Sequence, residues 1–358
     1  MVRPVSTVGE CYRVSGMPVV RMKDIARDLG VSAVTVSKVL RGHPDIGQAT
    51  KDRVLERVKE LKYRPNLMAR SLVTGRTFLV AFVVPDLVHG FFSEIAITVS
   101  TELRKHGYSI LIAWTAGDSE VQSSEMQHLL SVGIDAMIVA TSGDDTSSFE
   151  LLEERGIPYL LFDREVTALK APFVGGDDVL AGRMATQHLI DQGCRRIAHI
   201  RGPAMSPGLR RIEGYRLALV EAGHAVNEAY IITPADDGER SFPHGFESTR
   251  RLLAIEPRID GLFCFNDPLA IGAIEAVFAA GLRVPEDIAI IGCGNHPMGE
   301  ALRLPLSTVD QDMKGLGEKC AKGVLALLAG AEKSAATKRY ILKPRLIVRA
   351  SSRRLPLK

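Results

Sequence analysis

No Cys-x-x-Cys pair occurs in this 358-residue chain, and its five cysteines (Cys11, Cys194, Cys264, Cys293, Cys320) are odd in number and far apart. That pattern excludes a zinc ribbon and a disulfide framework, and it points to a reducing compartment. No apolar run approaches the ~18 residues that a membrane span needs. Residues 1–18 are interrupted by Arg3, Glu10 and Arg13 where an export signal would be apolar. The expected location is therefore the cytoplasm, at the nucleoid. The same stretch has no periodicity and reads as a disordered leader, with Met1 or Met17 as the start. Catalytic signatures are missing too. There is no GxxxxGK phosphate loop, no GxGxxG after a strand, no HExxH and no GxSxG. Histidines and carboxylates are scattered without supporting spacing, so neither an enzyme, a metal centre nor a cofactor is expected.

What is present is an uneven distribution of charge. Residues 1–70 hold 14 Lys/Arg against 7 Asp/Glu, whereas the other 288 hold 31 against 35. A head of net charge +7 on a body of net charge −4 suits contact between the head and a polyanion, although a solvated basic face would look the same from charge alone. Hydrophobic content of 46% is ample for a large core in the body.

The head reads as three short helices. Ile25, Ala26 and Leu29 form the apolar stripe of the first, and Gly30 ends it. Ser32 stands where an N-cap belongs, ahead of AVTVSKVL, whose Val36, Val39 and Leu40 face inward. A third helix over about 50–61 places Val54, Leu55, Val58 and Leu61 on one face. Two short helices joined by a Gly-containing turn match a helix-turn-helix. Pro65 then blocks continuation, and Asn66 can cap a short helix, LMARSLV, before Gly75.

From Phe78 the texture changes. Buried-type strands (FLVAFVVPD, SILIAW, DAMIVA, IPYLLFD) alternate with helix-length amphipathic segments, and the pattern restarts after GGDD with RRIAHI, AYII, DGLFCF and DIAIIG. Such alternation argues for parallel sheets built from βαβ units, in two successive α/β lobes. A helix near 312–329 and a strand pair in RYILKPRLIVRAS follow.

DIARDLGVSAVTVSKVLRG, then YRPNLMARSL, then the two-lobed body together resemble the lactose-repressor (LacI) family of bacterial transcription regulators over about residues 19–350. The resemblance implies a helix-turn-helix head (19–63), a hinge helix (64–77) and a periplasmic-binding-protein-like body of doubly wound parallel sheets. Its first lobe would take 78–176 plus about 309–335, and its second 177–308 plus about 336–358. It further implies a homodimer or higher oligomer on a pseudo-palindromic, double-stranded operator. A small-molecule effector between the lobes would change operator affinity, with a sugar or sugar derivative favoured and a purine second. Whether the effector releases or recruits DNA is left open.

By motif position, Ala33, Val34 and Lys38 face the bases. Ala33 and Val34 can touch a thymine methyl but cannot hydrogen-bond, which leaves Lys38 to read a guanine edge in the ≈12 Å major groove. The hydroxyls of Ser32, Thr35 and Ser37 suit phosphate contacts or caps. Val36 reads as packing. Relatives carry Ser or Thr where Arg21 stands, a local cost of about 1 kcal/mol. In the hinge, Leu72 matches the leucine that wedges between central base pairs, with Ala69 allowing close approach and Arg70 on phosphate; from residues alone Leu72 would be a packing side chain.

For the effector, the resemblance assigns Phe91, Phe92, Asp163, Arg164, Arg211, Asn266 and Asp267 to the cleft, the planar hydrogen-bonders that sugars need beside aromatic faces. Phe92 serves equally as a core residue and Asp163 as an interlobe ion pair, while Asp178 is expected to cap a helix. Relatives show Gly-Phe-Asp-Asp where this chain has Gly-Cys-Gly-Asn, so Gly294 supplies no carboxylate. A secreted solute-binding protein would share the body but needs an export signal and no head. A regulator whose body only oligomerises would lack the polar cleft set.

Overall fold

The computed structural model describes residues 20–40, 43–63, 75–88, 90–234, 241–330 and 338–354. The chain divides into two units, Met1–Gly75 and Arg76–Lys358. The proposed leader and most of the hinge, with Ala69, Arg70 and Leu72, lie outside the described residues.

In the first unit, α1 (Met22–Leu29) and α2 (Ala33–Leu40) pack with α3 (Gln48–Glu60) around Ile25, Ala26, Val36, Val39 and Val54. Gly30 ends α1 at φ +64°, a conformation that costs glycine little. The Ser32 hydroxyl accepts the Thr35 N–H at 3.0 Å, so it caps α2 as its position implies. At the start of α1 the Arg21 backbone N–H is satisfied by the Asp24 carboxylate at 2.9 Å, which offsets part of the missing hydroxyl cap. The third helix departs from its expected stripe: Leu55 is 50% exposed, and only Val54 is fully buried. Two short neighbours cover a narrower strip of α3 than its periodicity offers. Arg57 ties the helix to α1 through Asp28 at 2.5 Å.

In the second unit the apolar runs form two six-stranded sheets. The first contains β1 (Leu79–Val84), β2 (Ser109–Trp114), β3 (Ala136–Val139), β4 (Tyr159–Phe162), β5 (Phe173–Gly176) and β11 (Arg339–Leu342). They lie in the order β2-β1-β3-β4-β5-β11, all parallel. Helices α4 (Phe91–Arg104), α5 (Ser119–Val132), α6 (Ser147–Glu154) and α12 (Met313–Leu328) belong to this lobe. Val80, Phe82 and Val84 point into one core and Ala81 and Val83 into another, the period-two alternation of a sheet covered on both faces.

The second sheet holds β6 (Ile197–Ile200), β7 (Ile231–Ile232), β8 (Gly261–Cys264), β9 (Ala289–Cys293), β10 (Ser307–Asp310) and β12 (Arg345–Ile347). Its order is β7-β6-β8-β9-β10-β12, antiparallel only at β12. Helices α7 (Asp178–Asp191), α8 (Ser206–Glu221), α9 (Ser241–Leu253), α10 (Asp267–Ala279) and the short α11 (Pro297–Ala301) accompany it.

The two tail strands do not pair with each other. β11 pairs with β5 in the first sheet, and β12 with β10 in the second. Residues 339–342 thus belong to the first lobe, not the second, and the second sheet keeps the chain as far as Asp310. The physical reason is that β5 and β10 each offer an open edge, and Lys343-Pro344 carries the chain between them. The chain crosses between lobes three times, at Asp177, at Gln311-Asp312 and at Lys343-Pro344. The first and third crossings touch, with Asp177 N–H donating to Leu342 C=O at 2.9 Å.

Candidate functional site

The carboxyl ends of the parallel strands from both sheets face one cleft of about 280 Å³. That is the expected ligand position in open α/β sheets. Its centre is set by the packing of α7 on α8. A Cβ at Gly182 would fall 2.1 Å from the Arg211 carbonyl, and one at Gly214 would fall 2.0 Å from that of Val179. Only glycine permits this approach, and it brings Arg211 on α8 beside Asp178 on α7.

Arg211 is fully enclosed. Its Nε and Nη2 reach one Asp178 oxygen at 2.9 and 2.8 Å, its Nη1 donates to the Phe265 carbonyl at 2.7 Å, and its plane lies 4.4 Å over the Phe265 ring. Asp178 is therefore an ion-pair partner, not a cap. The cap of α7 is its neighbour Asp177, which accepts the Leu180 N–H at 3.0 Å.

Asp163 follows β4 with φ +61°, which aspartate tolerates better than most residues. Its side chain is buried and, among the described residues, accepts no hydrogen bond and makes no ion pair. Burial first, and then the Asp178 carboxylate, push its pKa up to about 6, against the pull of Arg164 and Arg211. Arg164 donates to the Thr141 carbonyl at 3.0 Å and lines the cleft. Phe91 and Phe92 meet edge to face at 5.1 Å, and both line the cleft, but Phe92 is also a buried member of the first lobe's core. One side chain thus stands both in the core and at the cleft wall.

Asn266 and Asp267 line the cleft too, yet each is engaged within the protein. Asn266 caps α10 by accepting the Leu269 N–H at 2.9 Å. Asp267 accepts the Thr308 hydroxyl of β10 at 2.6 Å and the His296 N–H at 2.7 Å, so its two oxygens tie α10 to that strand and to the 294–296 loop. That loop brings His296 against Gly90, where an added Cβ would lie 2.1 Å from the imidazole. His296, Phe265 and Arg201 were not anticipated from the sequence. Arg201 had a usable signal, since it directly follows the RRIAHI strand as Asp163 follows its own.

In the head, Val34 is 63% exposed, whereas Ala33 packs partly against the core and Val36 is buried. The Thr35 hydroxyl pairs with that of Ser32 at 2.9 Å, and Ser37 is half-buried. Lys38 reaches Asp45 at 2.5 Å, and Asp45 also meets His43 at 2.7 Å. The hydrogen bonds from Lys38 and then His43 hold the Asp45 carboxyl below its ordinary range. The surface that reads DNA by motif position thus carries a carboxylate that competes for its one lysine.

Among the described residues, no group of three or more His, Cys, Asp or Glu could hold a metal ion, and no helix is long and apolar enough to cross a membrane.

Residues 21–66 match the bacterial regulatory proteins of the lacI family, and residues 186–352 match a periplasmic binding protein-like domain. The ribose operon repressor of Halalkalibacterium halodurans is 32% identical over 333 residues, spanning 93% of this chain and 97% of that one. The chain belongs to the LacI family. This LacI-family chain is a DNA-binding transcription regulator with a helix-turn-helix head and an α/β body. Among solved structures, the transcriptional regulator CelR in complex with cellobiose superposes with a TM-score of 0.71 at 29% identity, covering 93% of this chain and 99% of that one. The Lac repressor dimer bound to operator and the anti-inducer ONPF gives 0.81 at 23% identity, with coverage of 94% and 99%, a likeness of fold.

Proposed function

We propose that this LacI-family regulator represses transcription as a homodimer on a pseudo-palindromic operator in the cytoplasm, and that a sugar-like effector closing the interlobe cleft resets operator affinity. The observation that carries the effector half is the cleft itself. It brings together Arg211, locked from behind by Asp178, an aromatic face at Phe265 and an Asp163 carboxylate that meets no partner among the described residues. A planar cation that donates, a carboxylate that accepts and a ring that covers C–H faces are what a sugar ring needs. The names of the relatives, a ribose operon repressor and a regulator bound to cellobiose, favour the same class. Phe91 and Arg164 complete the set from the first lobe. Asn266 and Asp267 act mainly by fixing the backbone around it.

For DNA, Val34 and Lys38 read bases, the Ser32, Thr35 and Ser37 hydroxyls position the helix, and Ala33 supports it from the core side. Leu72, with Ala69 and Arg70, fills the minor groove between half-sites. An effector acts only through its different affinity for the two lobe arrangements. The test is operator binding by fluorescence anisotropy, with and without compounds that raise the melting temperature of the full chain in a sugar screen. A compound that stabilises the protein and shifts operator affinity supports the switch. Stabilisation that leaves operator affinity unchanged refutes it.

A further inference from the structure

The three arginines lining the cleft differ in the acceptors that they meet. Arg211 is neutralised by Asp178. Arg164 lies in the field of Asp163 and Asp86. Asp267 is engaged by the His296 N–H and the Thr308 hydroxyl. Arg201 is the one of the three whose side chain meets no acceptor among the described residues. It sits at the carboxyl end of β6 and lines the cleft, and among the described residues its side chain makes no hydrogen bond and no ion pair. Its Nε is shielded from solvent and meets no acceptor among the described residues. A shielded guanidinium N–H without an acceptor is costly, and the strongest acceptor for it is an oxyanion.

The backbone around it agrees. α8 begins beside Arg201 at Met205 without a side-chain cap, and α4 begins at Gly90 likewise, and both starts border the cleft. Each brings the positive end of a helix to the same volume. Across the cleft, Gly294 adds no carboxylate of its own, and the nearby Asp267 carboxylate is held by the Thr308 hydroxyl and the His296 N–H.

We infer that the effector is an anionic sugar derivative, a polyol bearing a carboxylate or a phosphate, with Arg201 receiving the oxyanion while Asp163 and Arg211 receive hydroxyls. This deepens the cleft reading above and rests on it. Carboxylate and phosphate share the chemistry that Arg201 recognises, and a matched panel separates them.

The experiment is isothermal titration of the full-length protein with ribose, ribonate and ribose 5-phosphate, and with glucose, gluconate, glucuronate and glucose 6-phosphate. At least one anion is expected to bind about tenfold to a hundredfold tighter than its neutral parent. Arg201→Gln should erase that preference while leaving the melting temperature intact, and Arg201→Lys should restore part of it. A neutral sugar that binds as well as its acid and phosphate overturns the inference and leaves the cleft reading standing. So does an anion preference that survives in Arg201→Gln. No binding by any compound in the panel overturns both.

Discussion

Replacing Asp163 by asparagine should make the protein more stable at neutral pH while weakening its ligand. The native carboxyl has a pKa of about 6 against an ordinary 3.8, set first by burial and then by Asp178. Because the folded value is the higher one, the native state holds the extra proton between those limits and loses stability as pH rises through them. Above about pH 6 the whole penalty is present. Below about pH 4 both states are protonated and the penalty vanishes. The gap amounts to on the order of 3 kcal/mol. Asparagine is uncharged, nearly isosteric and at home at φ +61°, so it removes the penalty without disturbing the turn. In urea denaturation followed by circular dichroism from pH 4.5 to 8, Asp163→Asn should gain on the parent chain as pH rises, reaching about 3 kcal/mol or roughly 5–10 °C in Tm at pH 8. The same variant should bind effector more weakly, since a strained acceptor kept for a ligand is the usual source of such a trade. A stability difference that stays flat across this window refutes the reasoning, as does a variant less stable than the parent at pH 8.

Asp178→Ala leaves the enclosed Arg211 charge with only a carbonyl partner and should cost about 3–5 kcal/mol in chemical denaturation, so a loss under ~1 kcal/mol would sink the ion-pair assignment. Gly182→Ala drives a methyl into the Arg211 backbone carbonyl. The expected destabilisation is about 1–3 kcal/mol with weakened effector binding, and an unchanged calorimetric Tm would show that the helices yield freely. In the head, Asp45→Ala releases Lys38 and removes a negative charge from the DNA-facing side. Operator affinity should rise, whereas Lys38→Ala should cost about 1–3 kcal/mol at one base-pair position. Uniform loss over all operator variants would instead mark Lys38 as a phosphate contact.

The head was largely legible because its signals are local. A hydroxyl at Ser32, a glycine at Gly30 and valines three apart at Val36 and Val39 state their roles within one turn of helix. Leu55 was misplaced because periodicity reports which face is apolar, not how much of that face its neighbours can reach. In the body, the alternation of runs announced two parallel sheets, but strand pairing is non-local. Two strand-like runs separated by Lys-Pro look like a pair until β5 and β10 are seen to need edges. The acids show the same limit: Asp177 and Asp178 are adjacent and chemically identical, yet one caps a helix and the other faces Arg211 across an interface made by distant glycines. Arg201 was marked only by its place after a strand, and its interest lies in an Nε that meets no acceptor among the described residues.

The three crossings between the lobes bear on how the protein is made. Each sheet takes its last edge strand from residues 339–347, so neither lobe is complete until that segment has left the ribosome. The three-helix head uses only residues before 64 for its core and can fold long before. During synthesis a finished reading head would therefore precede any finished cleft, and a chain cut short near residue 330 would uncover β5 and β10, strands otherwise paired on both sides, as templates for aggregation. A shortened product should consequently appear in cells as insoluble or degraded protein, not as an effector-blind repressor.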